Sequence, residues 1–209
     1  MKYLHFKQKI KSLAVFSTSF LNTLTNNTKT LKVQISMWKK KGLIIPLRQG
    51  LYVLNKEDRE FEPSLFYLAN QIFIPSYVSL ESALAYYGLI PEFVSQVTSI
   101  TTRKTSKFKN ELGIFSYQHL HTKCFTGFNN IKESKELNAL IANPEKAIVD
   151  FLYLNLSLFN ILDKEIFTKS YRFQNCKKLN QKKIKSYGKL FGSKKLNSIC
   201  NLFIKELVK

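Results

Sequence analysis

An amphipathic helix pattern followed directly by a hairpin pattern restricts the fold of this chain more than any other feature. The helix pattern is TKTLKVQISMWKKKG at residues 28–42. Within it, Leu31, Ile35 and Trp38 recur at the spacing of one helix face. Gly42 closes the stretch, as glycine commonly does where a helix ends in a left-handed turn. The segment therefore predicts a helix that buries one apolar side and stops at a defined point.

The hairpin pattern is LIIPLRQGLYVL at residues 43–54. Two short β-rich runs flank Arg48, Gln49 and Gly50, a composition that is typical of a turn. Pro46 in the first run suits an edge strand, because proline cannot donate a hydrogen bond to a central ladder. The sequence therefore predicts a two-stranded hairpin directly after the helix.

Two shorter helix signals precede these elements. Residues 4–13 place apolar side chains among Lys and Gln, and Ser17 or Thr18 can cap a second short helix. Helix, helix, helix and hairpin is the order of a winged helix-turn-helix domain, which we expect at residues 1–58. In such a domain the third helix enters the major groove of DNA, and the hairpin tip touches the backbone or the minor groove.

The predicted DNA contacts lie on the side of the third helix opposite its apolar side, and at the hairpin tip. Lysine and arginine would neutralise phosphates or reach guanine edges, hydroxyl and amide groups would bond to phosphate or base, and Val33 would meet a thymine methyl. Two alternatives remain open: the lysines form only a solvated helix face, or the domain contacts protein instead of DNA. The candidate contact residues are Thr28, Lys29, Lys32, Val33, Ser36, Lys40, Arg48 and Gln49.

The charge of the chain is concentrated at its two ends. The formal net charge is +19. Residues 1–60 carry 12 Lys and Arg against 3 Asp and Glu, residues 61–160 carry 8 against 8, and residues 161–209 carry 13 against 3. Because a polyanion rewards clustered cations by releasing its condensed counterions, this distribution favours contact with nucleic acid. An acidic protein, a membrane surface or compositional drift are the alternatives.

The composition is that of an ordinary globular protein. At 209 residues, with 17 Phe and 10 Tyr, the chain has material for two small domains. Cys124, Cys176 and Cys200 are widely spaced and form no CxxC pair, so neither a disulfide framework nor a zinc site is expected. The most apolar run, at 148–162, contains Asp150 and is too short to span a bilayer, which favours a buried helix. We expect a cytoplasmic protein without metal or cofactor and without membrane contact.

Residues 59–160 alternate helix and strand patterns, and predict an α+β domain with a small antiparallel sheet. Asn143 followed by Pro144 marks the start of the longest helix, because proline is favoured at the first helical position. Ser79 and Gly88 bound another helix as cap and stop. The predicted helices are 63–73, 79–88 and 143–156, and the predicted strands are 97–102, 113–120 and 123–128.

Four blocks of the middle region stand out together: YVSLESALAYYGLIPE at 77–92, VTSITTRK at 97–104, FSYQHL at 115–120 and IANPEKAIVDFLYL at 141–154. With KKKGLIIPLRQGLYVL upstream at 39–54, they resemble the AbiEi family of antitoxins from bacterial AbiE systems, which are associated with phage defence. The resemblance covers residues 1–155, and the SLESAL…GLIPE and A-x-PEKA blocks carry most of its specificity. The upstream block looks like the end of the family's recognition helix and its wing.

The resemblance implies a two-part protein that is not an enzyme. Members of the family bind operator DNA through an N-terminal winged helix and repress their own operon, while a larger C-terminal domain counteracts a toxin that resembles a nucleotidyltransferase. The implied partners are therefore double-stranded operator DNA and such a toxin, with the protein acting on DNA as a monomer or a homodimer. Direct binding of the toxin, competition for a shared substrate and modification of the toxin all remain open as the route of neutralisation. Neutralisation without operator binding is an alternative that the sequence leaves open.

Residues 161–209 are strongly basic and match no motif. We expect a helical extension whose lysines add non-specific phosphate contacts. Approach to the toxin or to its nucleic-acid substrate, and a plain solvated helix face, are the alternatives. The additional candidate polyanion contacts are Lys177, Lys178, Lys182, Lys183 and Lys185, followed by Lys194 and Lys195.

A nucleic-acid-processing enzyme is the rival class, but the sequence shows no group of carboxylates that would form its active site. A metal-dependent nuclease needs carboxylates that converge on one site. Glu145 and Asp150 lie five residues apart on one predicted helix and do not share a face, and the helix dipole accounts for Glu145. His119 and His121 point to one side of a predicted strand near Cys124, without a fourth ligand or a zinc spacing. We therefore expect no enzyme active site.

Overall fold

The computed structural model describes residues 1–24, 27–133 and 137–208, and only the backbone of Thr28. Within these residues the chain is α+β, with eight α-helices and two β-sheets. The helices are α1 (Tyr3–Ile10), α2 (Thr18–Leu21), α3 (Thr28–Lys40), α4 (Leu65–Ile72), α5 (Leu80–Tyr86), α6 (Pro144–Leu154), α7 (Gln181–Leu190) and α8 (Lys194–Leu207). The strands are β1 (Phe16–Ser17), β2 (Ile44–Arg48), β3 (Leu51–Leu54), β4 (Ser76–Val78), β5 (Val97–Thr101), β6 (Ser106–Asn110), β7 (Gly113–His119), β8 (Phe128–Lys132) and β9 (Asn138–Ala142).

The two sheets differ in size and in strand direction. The smaller has the order β1-β3-β2 and is antiparallel, with Pro46 on an edge strand as predicted. The larger has the order β6-β7-β5-β4-β9-β8, and in it β4 runs parallel to β9 and β5 parallel to β7. The small antiparallel sheet predicted for residues 59–160 is therefore wrong in size and in direction. Parallel neighbours are joined through crossovers and not through hairpins, so local patterns carry little signal for them.

The strand predicted at 123–128 is also wrong. Thr122–Cys124 forms a short 3₁₀ turn, and β8 begins at Phe128. Gly127 has a φ of +78°, a left-handed conformation that interrupts an extended run. The run is apolar because side chains such as Phe125 pack against the core, and not because it lies in the sheet.

The N-terminal unit, formed by α1, α2, α3 and the three-stranded sheet, has a core of its own. Ser17 and Asn27 cap α2 and α3 by accepting hydrogen bonds from backbone N–H groups. Gly42 follows α3 with a φ of +67°, in agreement with the predicted stop. Thr25 and Asn26, which precede the cap residue of α3, lie outside the described residues. The buried apolar residues of this core are Phe6, Ile10, Phe16, Leu21, Leu31, Ile35, Trp38, Ile44 and Leu54.

Asp58 ties α1 to the segment that follows the hairpin. Its carboxylate accepts hydrogen bonds from the Tyr3 hydroxyl, at 2.6 Å, and from the Lys7 ammonium group. Burial acts to raise the pKa of this carboxyl, but the hydrogen bonds and the charge of Lys7 outweigh it, so the pKa is lowered. Ionised Asp58 therefore stabilises the N-terminal unit.

Replacing Asp58 with Asn is expected to lower the free energy of unfolding by about 1–2 kcal/mol at neutral pH, because charge-assisted hydrogen bonds are lost. Since folding lowers the pKa of Asp58, its contribution is complete above the unfolded value of about 3.9 and is lost as the pH falls through the folded value. Urea unfolding of both proteins at neutral pH and near pH 3 measures the difference. A difference that does not shrink in acid would contradict this account of Asp58.

The hairpin of β2 and β3 lies between two cores. Ile44 and Leu54 belong to the N-terminal core, whereas Leu47, Leu51 and Val53 belong to a larger second core that contains the six-stranded sheet. The domain boundary predicted after residue 58 therefore follows a hairpin whose strands contribute to both cores. With both of its faces in contact with protein, the hairpin does not project freely into solvent.

The basic C-terminal segment contributes to the second core. α7 and α8 pack against α6 and against each other, and bury the apolar residues that lie between their lysines. One core therefore continues through the boundary that the sequence predicts at residue 160. The buried apolar residues that this segment adds are Ile166, Phe167, Phe173, Cys176, Ile184, Leu196, Ile199, Cys200, Phe203, Ile204 and Val208.

The apolar run at 148–162 begins inside α6, which ends at Leu154 and buries its apolar side in the second core, so the predicted buried helix is confirmed for residues 148–154. It is wrong beyond Leu154, where the helix stops and Leu158, Ile161 and Leu162 are exposed. Pro144 occupies the predicted position at the start of this helix. Asn143 makes no capping bond there, and its amide instead donates to the Tyr187 hydroxyl at 3.2 Å. Among the described residues, no helix has both the length and the apolar character needed to cross a membrane.

Candidate nucleic-acid interface

α3 places its predicted contact residues on one exposed side. Leu31, Ile35 and Trp38 are buried, and the Trp38 ring stacks on Phe6 with 4.5 Å between the ring centroids. Burial of this side turns the opposite side outward, so the predicted orientation of the helix is confirmed. The side chain of Thr28 lies outside the described residues, and the other predicted residues of α3 are all exposed: Lys29, Lys32, Val33, Ser36 and Lys40.

The lysines of this side carry charge that is not neutralised locally. In the described part of the chain, no carboxylate forms an ion pair with Lys29, Lys32 or Lys40. Asp58 and Glu60, which follow the hairpin, pair instead with Lys7 and Lys11. An anion that approaches α3 therefore meets cations whose attraction is not cancelled nearby.

Met37 is an exposed residue of α3 to which the sequence pattern assigned no role. Val33 is 61% exposed and Met37 is 51% exposed, although both are apolar. They lie four residues apart and are therefore neighbours on the helix surface. Lys39 and Lys41 are exposed as well, and extend the cationic surface towards the end of the helix. The spacing of four residues from Val33 is the sequence signal that would have placed Met37 on the exposed side of α3.

The hairpin tip packs against the protein. The Arg48 Nε donates to the Ile72 carbonyl at 2.6 Å, and its Nη1 donates to the Gln49 carbonyl at 3.0 Å. The Gly50 carbonyl accepts a hydrogen bond from the Thr18 N–H at 2.9 Å, which holds the turn against α2. Gln49 is exposed, but Arg48 ties the hairpin to the end of α4. Arg48 is therefore a weaker candidate for a phosphate contact than the lysines of α3.

The lysines predicted as additional polyanion contacts are exposed, and three of them lie on α7. Lys182, Lys185 and Lys189 follow one stripe of this helix, opposite the buried Ile184. Over the described residues none of these three forms an ion pair. All seven predicted lysines are exposed: Lys177, Lys178, Lys182, Lys183, Lys185, Lys194 and Lys195. The first two line a cleft of about 630 Å³ beside the start of α6.

A further basic group lies in the region that the sequence predicts to be neutral. Lys104, Lys107 and Lys109 are exposed on the edge strand β6 or just before it. The Asn110 amide on this strand donates to the Leu47 carbonyl at 3.0 Å, which places β6 beside the hairpin. The net charge of residues 61–160 is zero, because carboxylates elsewhere in this region offset the charge of these lysines. The sum over the region therefore gives no sign of the basic group. Lysines on an edge strand also prevent pairing with other chains, so we assign them no DNA contact.

The carboxylates weighed for catalysis do not form an open site. Lys146 and Asp150 are fully buried and pair with each other, and Asp150 also accepts hydrogen bonds at 2.9 Å from the hydroxyls of Tyr77 and Ser79. Burial raises the pKa of the Asp150 carboxyl. Glu145 accepts a backbone N–H at the start of α7 instead. With no exposed surface, the pair offers no access for a metal ion or a substrate.

The two candidate histidines make separate contacts with the backbone. The His119 Nδ1 lies 3.0 Å from the Arg103 carbonyl oxygen, and the His121 Nδ1 accepts the Lys123 N–H at 3.3 Å. Cys124 is buried, and burial raises the pKa of its thiol. Within the ranges that the structure describes, no group of three or more His, Cys, Asp or Glu could hold a metal ion.

Comparison with known proteins gives this chain no assignment. No protein-family model matches it, and no curated protein is significantly similar to it. The candidate interface therefore rests on the exposed side of α3.

Proposed function

We propose that this protein is an AbiE-type antitoxin, which binds double-stranded operator DNA as an autorepressor and counteracts a nucleotidyltransferase-like toxin. The N-terminal unit acts as a winged helix-turn-helix domain, and α3 enters the major groove. One observation carries the proposal. α3 exposes Lys29, Lys32 and Lys40, and no carboxylate in the described chain neutralises them.

The arrangement of the N-terminal unit supports DNA binding through α3. α2 and α3 are joined by a short connection, and the hairpin follows α3 directly. Phosphate contacts by the lysines would release counterions, so the affinity should fall steeply with salt. Since Arg48 ties the hairpin to Ile72, the hairpin supports α3 and is not a separate reading element.

The second unit, which contains α4 to α8 and the six-stranded sheet, is assigned the antitoxin activity. The sequence blocks around Ser79 and Pro144 that resemble the family lie in this unit. Its exposed lysines on α7 would add phosphate contacts that do not depend on base sequence. The protein works in the cytoplasm, as a monomer or a homodimer on DNA.

Fluorescence anisotropy with the pure protein tests operator binding. Two duplexes of equal length are compared, one from upstream of the protein's own gene and one with a scrambled sequence, each at about 50 and about 200 mM salt. We expect at least about 10³-fold tighter binding to the upstream duplex, with a steep loss of affinity at the higher salt. Equal and salt-sensitive binding to both duplexes would show that the lysines bind DNA without sequence preference, and would favour neutralisation without operator binding.

Replacing Lys32 and Lys40 together with Ala is expected to weaken operator binding by about 10- to 100-fold and to reduce the salt slope by about 2, because two phosphate contacts are lost. Both residues are exposed, so folding should not change. Repression of a reporter and neutralisation of the toxin are measured in parallel, and neutralisation should persist.

The matched control replaces Lys182 and Lys185 with Ala, which removes the same charge from α7. It should weaken binding to the upstream duplex less than the change on α3 does and leave repression unchanged, because α7 is not the helix assigned to the groove. Repression that survives the loss of Lys32 and Lys40 would exclude α3 as the helix that reads the operator.

A further inference from the structure

The exposed side of α3 presents two apolar side chains among its lysines. Val33 and Met37 are each more than half exposed, while the N-terminal core lies on the opposite side of the helix. Packing within the chain therefore does not explain their position. A ligand that fits this surface must be anionic and must also offer apolar groups. The major groove of DNA does both, because thymine places its C5 methyl group there between the phosphate backbones.

α3 lacks the arginine and free amide side chains that commonly select purines through paired hydrogen bonds. Its sequence, TKTLKVQISMWKK, contains no Arg, Asn, Asp, Glu or His. Its one amide side chain, Gln34, is half-buried and accepts a hydrogen bond from the Met1 amino group at 3.1 Å. Arg48 on the hairpin is bonded to the Ile72 carbonyl. The guanidinium and amide groups that commonly read guanine and adenine are therefore not presented by this surface.

The spacing of the two apolar residues suits neighbouring base pairs. Val33 lies near the middle of the exposed side, in line with Lys29 and Lys40, and Met37 lies one turn further along. At a rise of about 1.5 Å per residue, they are about 6 Å apart along the helix axis. This is close to two base-pair steps of about 3.4 Å. One helix in the groove can therefore bring both side chains to methyl groups of the same short stretch of bases.

We infer that Val33 and Met37 read thymine C5 methyl groups, so that the preferred ligand of α3 is a duplex with thymines clustered at the two positions they face. This inference rests on the proposed operator binding and names the sequence class of the operator. The lysines around the two residues hold phosphates and position the helix, and carry no base information themselves. Sequence choice then depends on apolar contacts more than on hydrogen bonds.

Deoxyuridine substitution tests the inference with the wild-type protein. Selection from a random duplex pool gives the preferred sequence, which is then synthesised with single thymines replaced by deoxyuridine, a base that lacks only the C5 methyl group. At the contacted positions we expect about 4-fold weaker binding for each methyl group removed. No change at any thymine would overturn the inference and leave operator binding intact. Selection that yields no preferred sequence would overturn both.

Two variants then locate the contacts. Val33→Ala and Met37→Ala should each bind the thymine duplex more weakly, and each should lose its response to deoxyuridine at one position, so that the protein and DNA changes are not additive. Leu158→Ala is the control, because Leu158 is 60% exposed, as Val33 is, but lies outside α3. This control should respond to deoxyuridine as the wild type does.

Two results for the variants would overturn the inference. One is a response of Val33→Ala and Met37→Ala to deoxyuridine that equals the wild-type response at every position. The other is self-association of the wild-type protein that Val33→Ala abolishes, together with no effect of deoxyuridine. That result would assign the apolar pair to a contact between two copies of the chain.

Discussion

Replacing Asp150 with Ala is expected to lower the free energy of unfolding by about 3–5 kcal/mol, because the change strands a buried charge. Lys146 and Asp150 are fully buried and pair across one turn of α6. Without the carboxylate, the Lys146 ammonium group keeps the Tyr77 hydroxyl, to which it donates at 3.0 Å, and the faces of the Tyr77 and Phe191 rings, but no counter-charge. Denaturant unfolding followed by circular dichroism measures the loss.

Two further variants separate the loss of a partner from the loss of charge. Changing both residues, Lys146→Met together with Asp150→Val, should restore part of the stability, since the apolar pair carries no cost of desolvating charge, while the Tyr77 and Ser79 hydroxyls lose their acceptor. Glu60→Ala removes one partner of the exposed Lys11–Glu60 ion pair and should cost less than about 1 kcal/mol. Equal losses for Asp150→Ala and Glu60→Ala would refute the account given for the buried pair.

The same cluster limits what Asp150 can reveal about catalysis. Its carboxylate is held by Lys146, Tyr77 and Ser79 and has no exposed surface. An activity lost on replacing Asp150 would therefore follow from unfolding and would not identify a catalytic carboxylate. The sequence predicts that Ser79 caps α5, but its hydroxyl donates to the buried Asp150 carboxylate and makes no capping bond.

Elements whose signals are local could be predicted from the sequence. In α3 the apolar residues repeat at helical spacing, Asn27 caps the first turn, and Gly42 adopts the left-handed conformation that ends the helix. Each of these effects acts over a few residues, so a sequence shows it directly. The orientation of the candidate interface follows from them, since burial of Trp38 on one side exposes Lys29 and Lys40 on the other.

Features that depend on distant contacts could not be predicted. β4 pairs in parallel with β9 through Val78 and Ile141, and no local pattern links these residues. The four lysines in the ten residues of α7 make it look from its sequence like a solvated basic helix. In the structure α7 nevertheless packs against α6 and α8, and buries Ile184 and Gly188. The position of Arg48 is of the same kind, since its partner is a carbonyl at the end of α4. The candidate interface consequently contains less of the hairpin than the sequence predicts.

Replacing Phe6 with Ala is expected to remove about 3–5 kcal/mol of stability from the N-terminal core and to abolish operator binding. Phe6 is fully buried, and its ring stacks on Trp38 at 4.5 Å and meets Phe16 edge-on at 5.7 Å. This core is small, so a loss of this size is a large share of its stability. α3 would lose the packing that fixes its orientation, and binding to the upstream duplex should fall to the level of the scrambled duplex.

Trp38 is the single tryptophan of the chain and reports on this core by its fluorescence. In Phe6→Ala its emission should shift to longer wavelength and its unfolding midpoint should fall, while the circular dichroism of the second unit stays close to that of the wild type. Leu4→Ala, a change on the same helix at a residue that is 65% exposed, is the control and should cost less than about 0.5 kcal/mol. A single lower midpoint by both probes in Phe6→Ala would show that the shared hairpin couples the two cores. In that case DNA binding could not be removed through the N-terminal core without unfolding the second unit as well.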